Sequence, residues 1–297
     1  MRLRVEVILN TSAGGSIDDT LSAIEQALKE NSLDANVRVV RNGEELLAAA
    51  KNSADESATV VVAAGGDGTV SAVASKLVGT QKILAVLPLG TLNNFSKDLQ
   101  IPQDIKEAVR VIASGNCREI DAGEVNGRYF INNSSIGLYP RIVREREHQQ
   151  RLGRGKWWAA AWAAWRFLWF SPFLKVRLKL NERDLFRKTP FVFVGNNEYE
   201  MDFYNIGRRL NLDRGDLSIY LLHRSGRVGL FLLIIRTLLG RLRQANDFEE
   251  LHSDELIVRT RRKNILVAFD GEVAVMESPL RYSIHPKALR VMVPKME

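Results

Sequence analysis

Residues Thr59–Val70 read TVVVAAGGDGTV, and the chain on both sides takes its meaning from them. A threonine, three valines and two alanines make a short apolar run, the pattern of a buried strand. The run ends in Gly65-Gly66-Asp67-Gly68-Thr69, after which Val70, Val73, Ala74 and Leu77 recur at helical spacing. A strand that passes through a glycine turn into a helix is a place to hold phosphate. The N–H groups of the turn and first helical turn point outward, and glycines let an anion approach them. Asp67 would repel a bare phosphate. Its presence calls for a cation between the two, most simply the Mg²⁺ that accompanies a nucleotide triphosphate. The plainer alternative is a tight turn in which Asp67 only caps the helix.

Outward from this stretch, strands and helices alternate. Arg2–Leu9 reads as a strand that runs into the small turn Asn10–Gly15. Ser16 and Asp19 form a capping-box-like pair ahead of Ile17, Leu21, Ile24 and Leu28. Asn36–Val40 reads as a strand, Glu44–Lys51 as a helix, and Ile83–Leu87 as a strand leading into Pro88–Phe95 (PLGTLNNF). A helix with Ile105, Ala108, Val109 and Ile112 starts near Asp104. Such alternation predicts a mostly parallel sheet covered by helices, with ligands beyond the carboxyl ends of its strands. Three small polar turns fall at those ends: Asn10–Gly15, Gly65–Thr69 and Gly90–Asn94. Neither GxxxxGK[ST] nor GxGxxG occurs, so neither common nucleotide fingerprint applies.

Composition narrows the field. Of 297 residues, 45% are apolar and 26% charged, which is globular and excludes a disordered chain. The single Cys117 excludes an internal disulfide, and four scattered histidines offer no zinc cluster. The stretches Trp157–Phe170 and Val228–Ile235 are broken or ended by Arg166 and Arg236, too short to span a bilayer. A net charge of +7 points to an anionic partner. With no zinc finger, no RNP-like aromatic pattern and no basic groove-binding helix, a nucleic acid is not expected. The start, MRLRVEVILN, has no signal-peptide block, so a cytoplasmic setting is expected.

After Arg118 short alternating strands take over: Glu119–Val125, Arg128–Asn133, Leu174–Leu180, Pro190–Val194, Leu217–Leu222, Glu255–Thr260, Ile265–Phe269 and Leu280–Ile284. Asn126-Gly127 is a hairpin signal. The expectation is an α/β domain over 1–122 and a β-sandwich-like domain over 123–288, with 289–297 returning to the first. Arg141–Phe170 is a helical insert whose Trp158, Trp162, Trp165 and Trp169 form one stripe behind a basic run. It reads either as a helix packed on the sheet or as a contact with anionic membrane at the inner face. Arg227–Arg243 reads as a second helix. Phe269-Asp270-Gly271-Glu272 ends a strand with two carboxylates whose side chains share a direction if the backbone stays extended, the kind of pair general-base chemistry uses. The alternative is a turn with exposed acids. Sheet-edge pairing would allow a homodimer.

Taken together, Asn10-x-x-x-Gly14-Gly15, GGDGTV at Gly65–Val70 and PLGTLNNF at Pro88–Phe95 resemble the diacylglycerol kinase catalytic-domain superfamily, including its bacterial branch of YegS-type lipid kinases. The resemblance implies an ATP-dependent lipid kinase: a doubly wound nucleotide-binding domain, a β-sandwich domain, and an active site in the interdomain cleft. By motif match, Asn10, Gly14, Gly65, Gly66, Asp67, Gly68, Thr69, Gly90, Thr91 and Asn94 line the nucleotide site. Asp67 acts on the phosphates through Mg²⁺. The family's acidic pair falls at Asp270 and Glu272, with Asp270 as base and Glu272 orienting substrate or metal, roles that could be exchanged. Two departures stand out. Where the family has a Thr before Gly-Asp-Ala, this chain reads Val39–Glu45, leaving Arg41 to substitute. Where the family binds a structural Mg²⁺, Arg214 stands in Leu212–Leu217; a guanidinium cannot ligate a cation, so that metal is expected to be absent. An NAD-kinase-like enzyme and a non-catalytic lipid- or nucleotide-binding relative are the alternative readings.

Overall fold

The structure is a computed structural model that describes residues 4–11, 17–55, 58–137, 140, 173–180, 183–200, 208–209, 211–222 and 248–295. The backbone divides into two compact units, Met1–Ala122 with His285–Glu297, and Gly123–Ile284. Ser16, Gly14, the tryptophan stripe and the segments 141–170 and 227–243 lie outside the described residues.

The first unit alternates β1 (Arg4–Asn10), α1 (Ile17–Glu30), β2 (Asp34–Val40), α2 (Gly43–Asp55), β3 (Val60–Gly65), α3 (Asp67–Leu77) and β4 (Ile83–Pro88). Two further helices follow, α4 (Asn94–Asp98) and α5 (Ile105–Ser114). β2 pairs β1, β1 pairs β3 and β3 pairs β4, all parallel, in the spatial order β2-β1-β3-β4. β3 and β4 are buried at every position because helices cover a parallel sheet; α1 packs with α5, and α2 with α3. α5 starts where expected, with the Asp104 carboxylate accepting the N–H groups of Lys106 and Glu107, and stops at Gly115 in left-handed geometry. α2 runs longer at both ends than its apolar spacing indicated.

β5 (Cys117–Val125) leads into the second unit. There follow β6 (Arg128–Phe130), β7 (Asn133–Gly137), β8 (Leu174–Leu180), β9 (Arg183–Thr189) and β10 (Phe191–Asn196). The short pair β11 (Tyr199–Glu200) and β12 (Arg208–Arg209) precedes β13 (Leu217–Leu222). β14 (Phe248–Ser253), β15 (Glu255–Thr260), β16 (Asn264–Phe269), β17 (Glu272–Glu277) and β18 (Leu280–Met292) complete it. One antiparallel sheet runs β14-β13-β10-β7-β16-β17. The other runs from the first residues of β18 through β15 and β8 to β9. Inward residues of both, among them Ile136, Val194, Ile219 and Val267 from one and Val176, Leu178, Val258 and Leu280 from the other, form a single buried cluster. The chain is therefore an α/β unit followed by a β-sandwich.

Several strand expectations need correction. Arg128–Asn133 is not one strand: Ile131 and Asn132 turn their N–H groups to a carboxylate, which breaks the ladder between β6 and β7. β9, β14 and β17 were missed, because RDLFRKT, FEELHS and EVAVME carry charge on faces that need no burial. Leu280–Ile284 and Leu289–Met292 belong to one strand, β18, whose Arg290 and Val291 pair with Ile83 and Leu84 of β4 in the first unit. Among the described residues no helix is long and apolar enough to cross a membrane.

Candidate active site

In the first unit the chain leaves β1 toward β2 on one side and returns with β3 on the other. This is the switch point at which open parallel sheets leave a crevice beyond their carboxyl ends. Asn10 ends β1 and Gly65 ends β3 beside it. Asn10 Nδ2 donates to the buried Thr69 hydroxyl at 2.9 Å, tying the first loop to the start of α3. The third loop closes onto the second through backbone. A Cβ on Gly90 would lie 2.5 Å from the Cα of Gly66 and 2.7 Å from Asn93 Oδ1, so no side chain fits there.

Asp67 occupies the first turn of α3, behind an N-cap, Gly66, that offers no side-chain cap. Its two carboxylate oxygens accept the N–H groups of Asn94 and Phe95, each at 3.2 Å. Hydrogen bonds to a charged acceptor contribute about 1.5–3 kcal/mol each, so this carboxylate fixes the third loop against the second. Asn93, not Asn94, is the residue before α4. It sits at φ 52°, its Oδ1 accepts the Gly90 N–H at 3.0 Å, and its Nδ2 donates to the Gly90 carbonyl at 2.9 Å. Sequence reading missed Asn93 because two asparagines stand side by side and only geometry shows which one turns inward. Asn94, Thr91 and Gly68 are exposed on the same loops. The first unit thus brings together Asn10, Gly65, Gly66, Asp67, Thr69, Gly90 and Asn94; Gly14 lies outside the described residues. Arg41 is exposed, its backbone N–H held by Glu45.

The acidic pair is arranged differently from the extended form expected. Phe269 pairs with Glu272 across β16 and β17, and Asp270 and Gly271 form the two-residue turn between them at φ 47° and 87°. Both central residues at positive φ are the mark of a type I′ hairpin. The two acids therefore do not share one strand face: Glu272 is exposed, while Asp270 is half-buried. Asp270 Oδ2 accepts the Ile131 N–H at 2.8 Å, and Oδ1 accepts those of Asn132 and Asn133 at 2.8 and 3.1 Å. The segment that supplies these donors is itself gripped: Asn196 Nδ2 donates to the Ile131 carbonyl at 2.8 Å, and the buried Arg209 donates to the same carbonyl and to Asn132 Oδ1. Arg209 was not anticipated as a site residue, because an isolated arginine carries no pattern in sequence; Asn132, Asn133 and Asn196 are polar enough to be expected at the site, but sequence assigns them no role.

Arg214 engages Glu198, and its Nε lies 3.3 Å from Asp216 Oδ2. Its backbone N–H donates to Asn197 Oδ1 at 3.0 Å. His252 Nδ1 also approaches Asp216 Oδ2, at 3.0 Å. A cationic group thus stands among these acids.

A parallel sheet whose glycine turn, uncapped helix start and carboxylate meet at the switch point is an open α/β fold of the kind whose ligands lie beyond the carboxyl ends of its strands. The sequence profile of the diacylglycerol kinase catalytic domain matches residues 4–125, so this part of the chain is similar to that domain. Diacylglycerol kinase of Staphylococcus saprophyticus is 34% identical over 152 residues, 49% of this chain and 48% of that protein. Diacylglycerol kinase of Staphylococcus aureus strain JH9 is 34% identical over 152 residues, 47% of its length. The matched region spans about half the length of these curated relatives. The crystal structure of a diacylglycerol kinase from Bacillus anthracis shares the fold, with a TM-score of 0.72 at 20% identity, over 98% of this chain and 97% of that one.

Proposed function

We propose that the chain is a kinase that transfers the γ-phosphoryl group of ATP to the hydroxyl of a lipid, diacylglycerol being the acceptor in the relatives' names. The observation that carries this reading is the start of α3. Gly66 leaves the helix without a side-chain cap, and the close approach of Gly66 and Gly90 keeps side chains away from it. Phosphate oxygens would be received by N–H groups of that first turn.

The donor set fits Mg²⁺. Each Asp67 oxygen accepts one N–H group and keeps further lone pairs, and a carboxylate is the hard ligand this ion takes. Among the described residues no group of three or more His, Cys, Asp or Glu could cage a metal, which suits an ion held by one carboxylate together with substrate phosphates and water. Mg²⁺ bound there would neutralise charge on the phosphates. Asn10 and Thr69 hold the loops in register, and Thr91 and Asn94 offer exposed polar groups to the nucleotide.

On the second unit Asp270 takes the proton of the acceptor hydroxyl. Three N–H groups complement its charge and fix its orientation, and a weak base suffices where bond breaking to the leaving group runs ahead of proton loss. Glu272, exposed on the next strand, orients the acceptor. The site of action is the inner face of the membrane, with the tryptophan-rich segment 141–170 as one contact.

The test is incubation of the purified chain with ATP, Mg²⁺ and a total lipid extract, followed by mass detection of new phospholipids. ATP-dependent product supports the reading; a folded protein that yields none from any extract overturns it.

A further inference from the structure

The second unit carries a charge pattern that phosphoryl transfer does not use. Along β8, Val176, Leu178 and Leu180 enter the core, while Lys175, Arg177 and Lys179 stand exposed. Register carries this outer face onto both neighbouring strands. Arg177 lies between Arg259 of β15 and Phe186 of β9, and Lys175 lies opposite Lys188. Arg261 joins them at the rim of a depression of about 480 Å³. Asp184, opposite Lys179, is the acid that register places among these cations. Its carboxyl is held below the ordinary value by the hydrogen bond from Arg177, and further by the charges of Lys179 and Arg259.

Like charges directly opposite each other weaken a sheet. Lysines do protect exposed sheet edges, which accounts for Lys188 on β9. That explanation fails for Lys175, Arg177 and Lys179, because β8 lies between β9 and β15. Phe186 stands in the middle of the array, 69% exposed, with the Arg177 guanidinium 5.1 Å from its ring centre. The Arg177–Asp184 ion pair and the stacking of that guanidinium on the ring tie β8 to β9, but they account neither for the remaining cations nor for the exposure of Phe186.

We infer that this face docks on an anionic lipid bilayer. A broad grid of cations fits a plane of phosphate headgroups, and a single exposed ring fits the headgroup boundary. Single-stranded nucleic acid calls for successive stacking rings along a groove, whereas Phe186 is the one strongly exposed aromatic side chain among the described residues. None of its residues belongs to the segment 141–170 or to the loops that carry Asp67 and Asp270. Docking requires neither nucleotide nor turnover, so its failure and that of the kinase reading are separable.

The test is sedimentation of the full chain with vesicles of phosphatidylcholine alone or mixed with phosphatidylglycerol. Binding is expected to the mixed vesicles and to fall steeply with salt. Lys175→Gln with Lys188→Gln is expected to weaken it about thirtyfold, while the matching Lys→Arg pair retains it. Removing like-charge repulsion should leave the melting temperature unchanged or higher. Should the glutamine pair prove unstable, Phe186→Ser with Arg261→Gln reads the same face at exposed positions. Vesicle binding by folded glutamine or Phe186 variants equal to that of the parent chain overturns the inference. So does equal binding to neutral vesicles, or tighter binding of single-stranded RNA.

Discussion

The side-chain amide of Asn10 donates to the hydroxyl of Thr69 at 2.9 Å, across the point where β1 and β3 leave the sheet. Thr69→Val keeps the shape and removes the acceptor. Folding stability should fall by about 1 kcal/mol and nucleotide affinity with it, whereas Thr69→Ser should restore both. Thermal unfolding and ATP titration check this.

Gly90 and Gly68 separate steric from chemical roles in the same loops. Gly90→Ala drives a methyl into the Gly66 backbone and Asn93, and should cost about 1–3 kcal/mol while displacing the loop. A Cβ on Gly68 meets nothing within 4 Å, and alanine in a helix is favoured by about 0.8–1 kcal/mol. Gly68→Ala should therefore fold at least as well as the parent chain. If phosphate approaches the first turn of α3, it should still bind ATP more weakly. Undiminished affinity in that variant would count against the phosphate site.

Asp270→Asn replaces one acceptor oxygen with an NH₂ group facing N–H donors, leaving at least one of them unsatisfied at a cost of about 1–3 kcal/mol. Phosphoryl transfer should be lost as well. Glu272→Gln changes an exposed side chain and should shift stability by less than about 0.5 kcal/mol. A collapse of turnover in Glu272→Gln, with activity kept in Asp270→Asn, would exchange the roles assigned to the two acids.

Arg209 grips the segment 131–133 whose N–H groups face Asp270, and is expected to act as a positioning residue. Arg209→Lys keeps the charge but not the two-pronged grip on the Ile131 carbonyl and Asn132. The expected result is a fall in kcat with KM for ATP unchanged. A change in ATP KM alone would contradict it.

Tyr282 is buried, its hydroxyl 3.2 Å from Ser134 Oγ, and burial raises its pKa well above the ordinary phenol value. The folded chain thus keeps a proton that the unfolded chain gives up near pH 10, so this contribution is complete below pH 10 and is lost as pH rises further. Tyr220 is raised for the same reason, burial outweighing its hydrogen bond to Tyr199. Urea unfolding across alkaline pH should show the decline, and Tyr282→Phe should make it shallower.

Much of the first unit was legible because parallel strands are buried on both faces and glycine turns are conspicuous. TVVVAAGGDGTV announced strand, turn and helix, and Asp104 announced the start of α5. The sandwich was less so. β9 and β17 have one exposed face, so their apolar content is thin, and β18 runs on through Pro286 beyond the strand expected to end at Ile284.

By itself the sequence determined the class of fold, the order of its two parts and the glycine loops at the carboxyl ends of the first sheet, because local patterns of burial and glycine are written in consecutive residues. Only tertiary structure decided that Asp67 holds Asn94 and Phe95, that Asn93 rather than Asn94 closes the loop, and that Asp270 turns back onto Ile131–Asn133. Each of these joins residues far apart in the chain or depends on a left-handed backbone angle. Which acceptor a carboxylate or amide finds is set by what the fold brings within 3 Å of it, not by its neighbours in sequence.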